Sequence, residues 1–221
     1  MQSRTSDGLT RPVLVLAFLL AAFGELAAVQ LGSRPADDWI ARLERPERVA
    51  GLKIDYIISK LELKPGQVVA DIGAGPGVLS LPIGKTVVPG GKVYAVEIDQ
   101  AFLDRIAVKT KDQHITNVIP VLGKASDPGL PARDVDVALF HDVLHHIEHR
   151  AEYLKAVARY VKPDGRVAIV KLPPNGSHKD EPVLVVTRGQ VDKWMAEAGF
   201  KPAQEFDGLP EGKWFVVYKR G

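Results

Sequence analysis

The chain has 221 residues, 46% hydrophobic and 25% charged, with 29 Lys and Arg against 27 Asp and Glu and a formal net charge of +2. That apolar fraction excludes a disordered chain, and the length suits one domain of ordinary size. There is no Cys, which excludes disulfide scaffolds, thiolate nucleophiles and Cys-ligated metal, and so balanced a charge offers no basic surface for nucleic acid.

At the N-terminus, Arg4 and Arg11 precede an unbroken apolar run over 13–23, and small residues follow in Ala22-Phe23-Gly24 and Leu26-Ala27-Ala28. A basic stretch, an apolar stretch and a small-residue cleavage site are the layout of an export signal. Followed to Val29, the run reaches 17 residues with Glu25 its one charge, close to the roughly 20 that a spanning helix needs. Residues 1–32 are therefore expected to be a signal peptide or membrane anchor, with membrane association through 13–29, and residues 33–221 the folded domain. Arg4 and Arg11 ahead of the run place that domain on the exported side; a cytoplasmic domain is the alternative.

From Asp37 to Leu61 the pattern is helical. Trp39, Ile40 and Leu43 share one face of a short first helix, Pro46 sits where a first helical turn tolerates proline, and Val49, Leu52, Ile54, Ile57, Ile58 and Leu61 give an amphipathic second helix. After the turn Leu63-Lys64-Pro65-Gly66, strands are expected at 67–72, 92–97, 117–122, 135–141 and 165–171. Helices are expected between them at 78–87, 100–111 and 149–161. The strands are short continuous apolar runs, which suits a parallel sheet buried on both faces. A helix at 188–198 and strands at 201–206 and 214–219, joined as a hairpin, complete a doubly wound α/β fold with an antiparallel edge.

The most informative stretch is Asp71-Ile72-Gly73-Ala74-Gly75-Pro76-Gly77, which closes the first strand. Glycines there permit a sharp turn and close approach of a ligand to backbone, and the helix N-terminus beyond favours a negative ligand group. Glu97 ends the second strand 20 residues after Gly77, where an acid can accept from both hydroxyls of a ribose. A dinucleotide loop runs G-x-G-x-x-G; this one runs G-x-G-x-G, with Val78 in the place of the third dinucleotide glycine. Asp71 would repel a pyrophosphate and suits a ligand carrying positive charge, such as an amino acid ammonium.

His141, His145, His146 and His149 crowd together with Asp142 after the fourth strand. His141/His145 and His145/His149 are i, i+4 pairs, which on a helix would share a face as zinc ligands do. The competing reading places one or two of them beside the ligand at the carboxyl end of the fourth strand, where ligands of such sheets bind, and leaves the others solvated. Arg42, Arg45 and Arg48 are candidates for an acidic substrate, against the alternative of a solvated surface, and Lys171 at the end of the fifth strand is a further pocket candidate.

Asp71–Gly77 resembles the first motif of the class I S-adenosylmethionine-dependent methyltransferases, and Val93-Tyr94-Ala95-Val96-Glu97-Ile98-Asp99 their acidic second-strand motif. Leu144-His145-His146-Ile147, Val161-Lys162-Pro163-Asp164-Gly165-Arg166-Val167 and Glu197-Ala198-Gly199-Phe200 are similar to three further segments of the branch that methylates small molecules and quinones. Together these span roughly 46–220 in the family's order. The resemblance implies a seven-stranded Rossmann-like sheet of order 3-2-1-4-5-7-6 with the seventh strand antiparallel, S-adenosyl-L-methionine as cofactor, no metal, and a small-molecule methyl acceptor. It assigns Asp71, Gly73, Ala74, Gly75 and Gly77 to the methionine end, Glu97 to the ribose and Ile98 to the adenine face. Lys124 and Ala125 fall at the adenine edge, where the family often has an acid. Lys124 is a donor only, so that contact passes to the Ala125 backbone with Ser126, or to Asp127 reaching back. His141 is expected to touch the cofactor, and His145 or His146 to act as general base where the acceptor must lose a proton. Two other readings are a non-catalytic exported or membrane-associated S-adenosylmethionine-binding protein, and a nicotinamide-dependent oxidoreductase, against which Asp71 and the missing third glycine count.

Overall fold

The computed structural model describes residues 35–171, 185–209 and 212–221; the apolar run at 13–29 lies outside them. Three helices come first: α1 (Ala36–Leu43), α2 (Pro46–Gly51) and α3 (Ile54–Leu61). The second expected helix is thus two, because Lys53 stands at φ +56° between α2 and α3, a left-handed conformation that no helix runs through. Strand and helix then alternate as β1 (Val68–Ile72), α4 (Ser80–Thr86), β2 (Lys92–Glu97), α5 (Gln100–Asp112), β3 (Val118–Leu122) and β4 (Val135–His141). A 3₁₀ turn (Leu144–His146), α6 (Arg150–Ala158), β5 (Val161–Lys171), α7 (Arg188–Glu197), β6 (Phe200–Phe206) and β7 (Trp214–Arg220) complete the chain.

The strands form one seven-stranded sheet in the order β3-β2-β1-β4-β5-β7-β6. β1 to β5 run parallel, and β7 is antiparallel to both β5 and β6. Every residue of β1 is buried, Asp71 together with its four apolar neighbours. Val68, Ala70 and Ile72 face the core under α6 and α7, where Tyr153, Val157 and Met195 pack. Val69 faces the opposite core, built from Ile57 and Leu61 of α3, Ile83 of α4 and Ile106 of α5.

Two boundaries differ from expectation for local reasons. α4 begins at Ser80 rather than at 78, because Gly73, Gly75 and Gly77 all stand at positive φ and the chain is still turning there. β5 begins at Val161 rather than at 165: Val161 pairs with Val135, and the register shifts before Val137 meets Arg166. The Lys162–Gly165 turn is therefore a break inside one strand.

Ile57 is fully buried against this second core. Ile57→Ala is expected to cost about 2–5 kcal/mol in urea unfolding, and a loss well below that range would mean that α3 does not belong to the core.

Candidate functional site

β1 lies between β2 and β4, so the chain order reverses at β1/β4. In an open parallel sheet this leaves a crevice at the carboxyl ends of those two strands. The Gly73–Gly77 loop leaves β1 into it, with Gly73 N–H and Ala74 N–H both donating to Val96 O at 2.9 and 3.0 Å. A Cβ on Gly73 would lie 2.2 Å from Val143, and one on Gly77 would lie 2.9 Å from both Ile106 and Leu81. Among the described residues a Cβ on Gly75 would meet Leu43 of α1 alone, at an ordinary 3.6 Å. The loop is thus jammed at both ends and open in the middle.

α1 is tied across this opening. Glu44, just past its end, accepts from Arg105 at 2.6 Å and from Lys109 at 2.8 Å, and Lys109 also donates to the loop carbonyl of Pro76 at 2.8 Å. Burial works to raise the Glu44 carboxyl, but the hydrogen bonds from Arg105 and Lys109 outweigh it and hold the group below the usual carboxylate range.

Two carboxylates flank the open glycine. Asp71 is 2% exposed and accepts from Ser80 Oγ at 2.6 Å. Burial, with the charge of Glu97 adding and Ser80 opposing, pushes its pKa up to about 6. Glu97 accepts from Gly75 N–H at 3.1 Å and from Ile98 N–H at 2.8 Å. Burial raises its pKa despite those backbone donors. Two acids pushed upward side by side mark a place where a cation or a hydroxyl-bearing ligand would relieve buried negative charge.

Beyond β3, Lys124 and Ala125 are exposed, and Lys124 N–H donates to Asp127 O at 2.8 Å in a tight turn. Asp127 does not reach back toward the crevice. Its carboxylate accepts from Tyr160 Oη at 2.7 Å, Arg159 at 2.9 Å and Gly129 N–H at 2.8 Å. What remains for a ligand there is the Lys124–Ser126 backbone and the Ser126 hydroxyl.

His141 ends β4, and its Nε2 is buried without a hydrogen-bond partner among the described residues. Burial, helped by the charges of Arg48 and Lys213, pushes its pKa down to about 3, so the ring is neutral at ordinary pH. Asp142 follows at φ +52°, with Lys171 Nζ 3.4 Å and His145 Nδ1 3.8 Å from its Oδ1. The rings of His145 and His146 lie 4.0 Å apart, while His149 is exposed at the start of α6. The i, i+4 spacing builds no common face, because His141 is in a strand, Asp142 is left-handed and the 3₁₀ turn is only 3 residues long. Among the described residues no group of three or more His, Asp or Glu side chains is placed to hold a metal ion. Ser80 and Lys213 were not legible as site residues, since no motif marks them and only the folded chain brings them to the crevice.

Residues 70–169 match a family described as a methyltransferase domain. The chain is 28% identical over 126 residues to nocamycin O-methyltransferase of Saccharothrix syringae (53% of this chain, 42% of that protein). It is 30% identical over 114 residues to demethylmenaquinone methyltransferase of Lactobacillus johnsonii (51% and 46%). The chain thus spans less than half the length of these curated relatives. A SAM-dependent methyltransferase from Aquifex aeolicus superposes with TM-score 0.74 at 21% identity, covering 84% of this chain and 98% of that one. Magnesium protoporphyrin IX methyltransferase from Synechocystis, solved with bound SAM, superposes with TM-score 0.67 at 19% identity over 88% and 95%. At these identities the solved structures establish the fold.

Gly73→Ala and Gly75→Ala both incur the left-handed strain of a non-glycine residue, about 1–2 kcal/mol. Gly73→Ala alone meets Val143 and is expected to lose a further 1–3 kcal/mol or so to overpacking. Urea unfolding of the two variants checks this; equal losses would contradict the open middle of the loop.

Proposed function

We propose that this chain, whose residues 70–169 match a methyltransferase domain on a sheet of order β3-β2-β1-β4-β5-β7-β6, is a class I enzyme that moves a methyl group from S-adenosylmethionine to a small-molecule acceptor by direct displacement. The observation that carries this reading is the open Gly75 between the buried Asp71 and the half-buried Glu97, two carboxylates whose pKa values are raised. The relatives named for nocamycin and demethylmenaquinone favour a small-molecule acceptor.

In this reading Asp71 holds the cofactor's ammonium, and the Gly73–Gly77 backbone lies along its methionine end. Glu97 accepts from the ribose hydroxyls, Ile98 covers the adenine, and the Lys124–Ala125 backbone meets its edge. His141, neutral and with an unpartnered Nε2, stands at the junction with the acceptor. When bound, S-adenosylmethionine supplies an electrophilic methyl on a sulfonium, so the residues' task is mainly positioning. α1, tied down through Glu44, covers the loop and limits water. A general base is needed only where the acceptor gives up a proton, and that role falls to His145, oriented by Asp142 and backed by His146. The apolar run at 13–29 is read with this as an export signal or membrane anchor. Among the described residues no helix is long and apolar enough to cross a membrane.

The reading is tested by calorimetry of S-adenosylhomocysteine binding against pH. Below about pH 6 Asp71 takes up a proton and loses its attraction for an ammonium, so affinity is expected to fall by up to about tenfold per pH unit. Without ligand, Asp71 acts in the opposite sense. Its folded pKa lies above its unfolded one, so its contribution to stability grows as pH falls from about 6 toward 4. Asp71→Asn is expected to abolish both trends at that site. No binding by the wild-type protein, or a pH-independent affinity, would overturn the assignment.

A further inference from the structure

The crevice has two halves of opposite sign. Over β1 and β2 it presents Asp71 and Glu97. Over β4, β5 and β7 it presents cations, and the sheet register explains why. His141 pairs with Val170, and Lys171 pairs with Trp214 of antiparallel β7, so the start of β7 arrives at the same edge as the ends of β4 and β5. That brings Lys213 to this edge, where it donates to Gly51 O at 3.3 Å. From the other side the α1–α2 segment crosses the crevice. Leu43 reaches the open Gly75, and Arg48 comes within electrostatic range of both His141 and Asp142.

Arg42, Arg48 and Lys213 have no carboxylate within ion-pair distance among the described residues. Arg48 donates to Leu43 O at 3.1 Å and Arg42 lies 5.3 Å over the Trp39 ring. Among the described residues the acid of this half is Asp142, which is shared with Lys171 at 3.4 Å. Burial, with the charge of Arg42 adding, depresses Arg48 despite Asp142, so the cluster disfavours its own charge. Among the described residues, Trp39 Nε1 of α1 and His141 Nε2 of β4 are also buried without a hydrogen-bond partner, and such atoms are rare in folded proteins. Trp39 is on the same face of α1 as Leu43, one helical turn earlier. An indole N–H and guanidinium N–H groups donate only. Among the described residues the set is therefore rich in donors and positive charge, with Asp142, already shared with Lys171, its negative group.

We infer that the methyl acceptor is itself an anion, a small molecule carrying a carboxylate that Arg48 holds at the β4–β5–β7 edge, with Arg42 and Lys213 as neighbouring charges and the indole N–H of Trp39 as a further donor on the same helical segment. A planar guanidinium fork matches the two oxygens of a carboxylate. The inference rests on the methyltransferase reading and adds the acceptor's class to it.

The test is calorimetry on the full chain saturated with S-adenosylhomocysteine, titrated with 4-hydroxybenzoate, indole-3-acetate and benzoate and with the neutral amide of each. At least one acid is expected to bind about tenfold more tightly than its amide. Arg48→Gln should erase that preference while S-adenosylhomocysteine affinity stays within about twofold of wild type, which also shows that the variant is folded. Lys213→Gln, farther from the fork, should weaken the acid only in part. If no acid binds, if acids and amides bind alike, or if Arg48→Gln keeps the preference, the inference is overturned while the cofactor reading stands. If S-adenosylhomocysteine itself fails to bind the wild-type protein, the methyltransferase reading falls, and this inference with it.

Discussion

The central strand of the sheet ends on a carboxylate with almost no access to water. Asp71 is 2% exposed, and its side-chain partner is one hydroxyl, that of Ser80 at 2.6 Å. A second carboxylate, Glu97, lies close enough to push it further up. Burying such groups is unfavourable unless they are paired, and the described residues do not pair Asp71 with a cation. The arrangement makes sense as a site whose counter-charge arrives with a ligand. The rest of the crevice follows from it. The turn after Asp71 must be made of residues that bring no side chain to the carboxylates, and Gly75 leaves that space open while Gly73 and Gly77 fasten the loop to Val143, Leu81 and Ile106.

The same crevice changes sign within the width of a few strands. Acids sit where β1 and β2 end, and cations where β4 and β5 end and β7 begins. This polarity comes from topology, since antiparallel β7 delivers Lys213 to the edge where parallel β5 delivers Lys171. The N-terminal helices bridge the two halves. Leu43 lies against the glycine loop, Glu44 locks that contact to α5, and Arg48 enters the cationic half. An ion triad outside the crevice thus governs how the crevice is covered.

Much of the fold was legible because the strands are continuous apolar runs and the turns carry Gly and Pro. β2 and β4 fall on the expected residues, and the strand order is the one the family resemblance implies. Boundaries shifted where backbone conformation outran pattern. Lys53 at positive φ split one amphipathic helix into two, and the glycine loop delayed α4. The site was legible where a motif concentrates it, at Asp71–Gly77 and Glu97. Which glycine is open and which are packed was not, because that depends on Val143 and Ile106, far along the chain. The histidine spacing by itself carried no geometry, since i, i+4 has its helical meaning only if the chain is a helix there. Ser80 and Lys213 carry no signal in a single sequence, and folding alone brings them to the crevice.

The account turns on Asp71 being a buried acid that waits for a cationic partner. Carboxyl ¹³C NMR titration of Asp71, in the free protein and with S-adenosylhomocysteine at saturation, tests this most directly. The account predicts a pKa of about 6 in the free protein, falling to or below about 3.9, the ordinary aspartate value, when the ligand's ammonium is in place. A pKa that stays where it was on saturation would show that the ligand's charge lies elsewhere and would contradict the site as described.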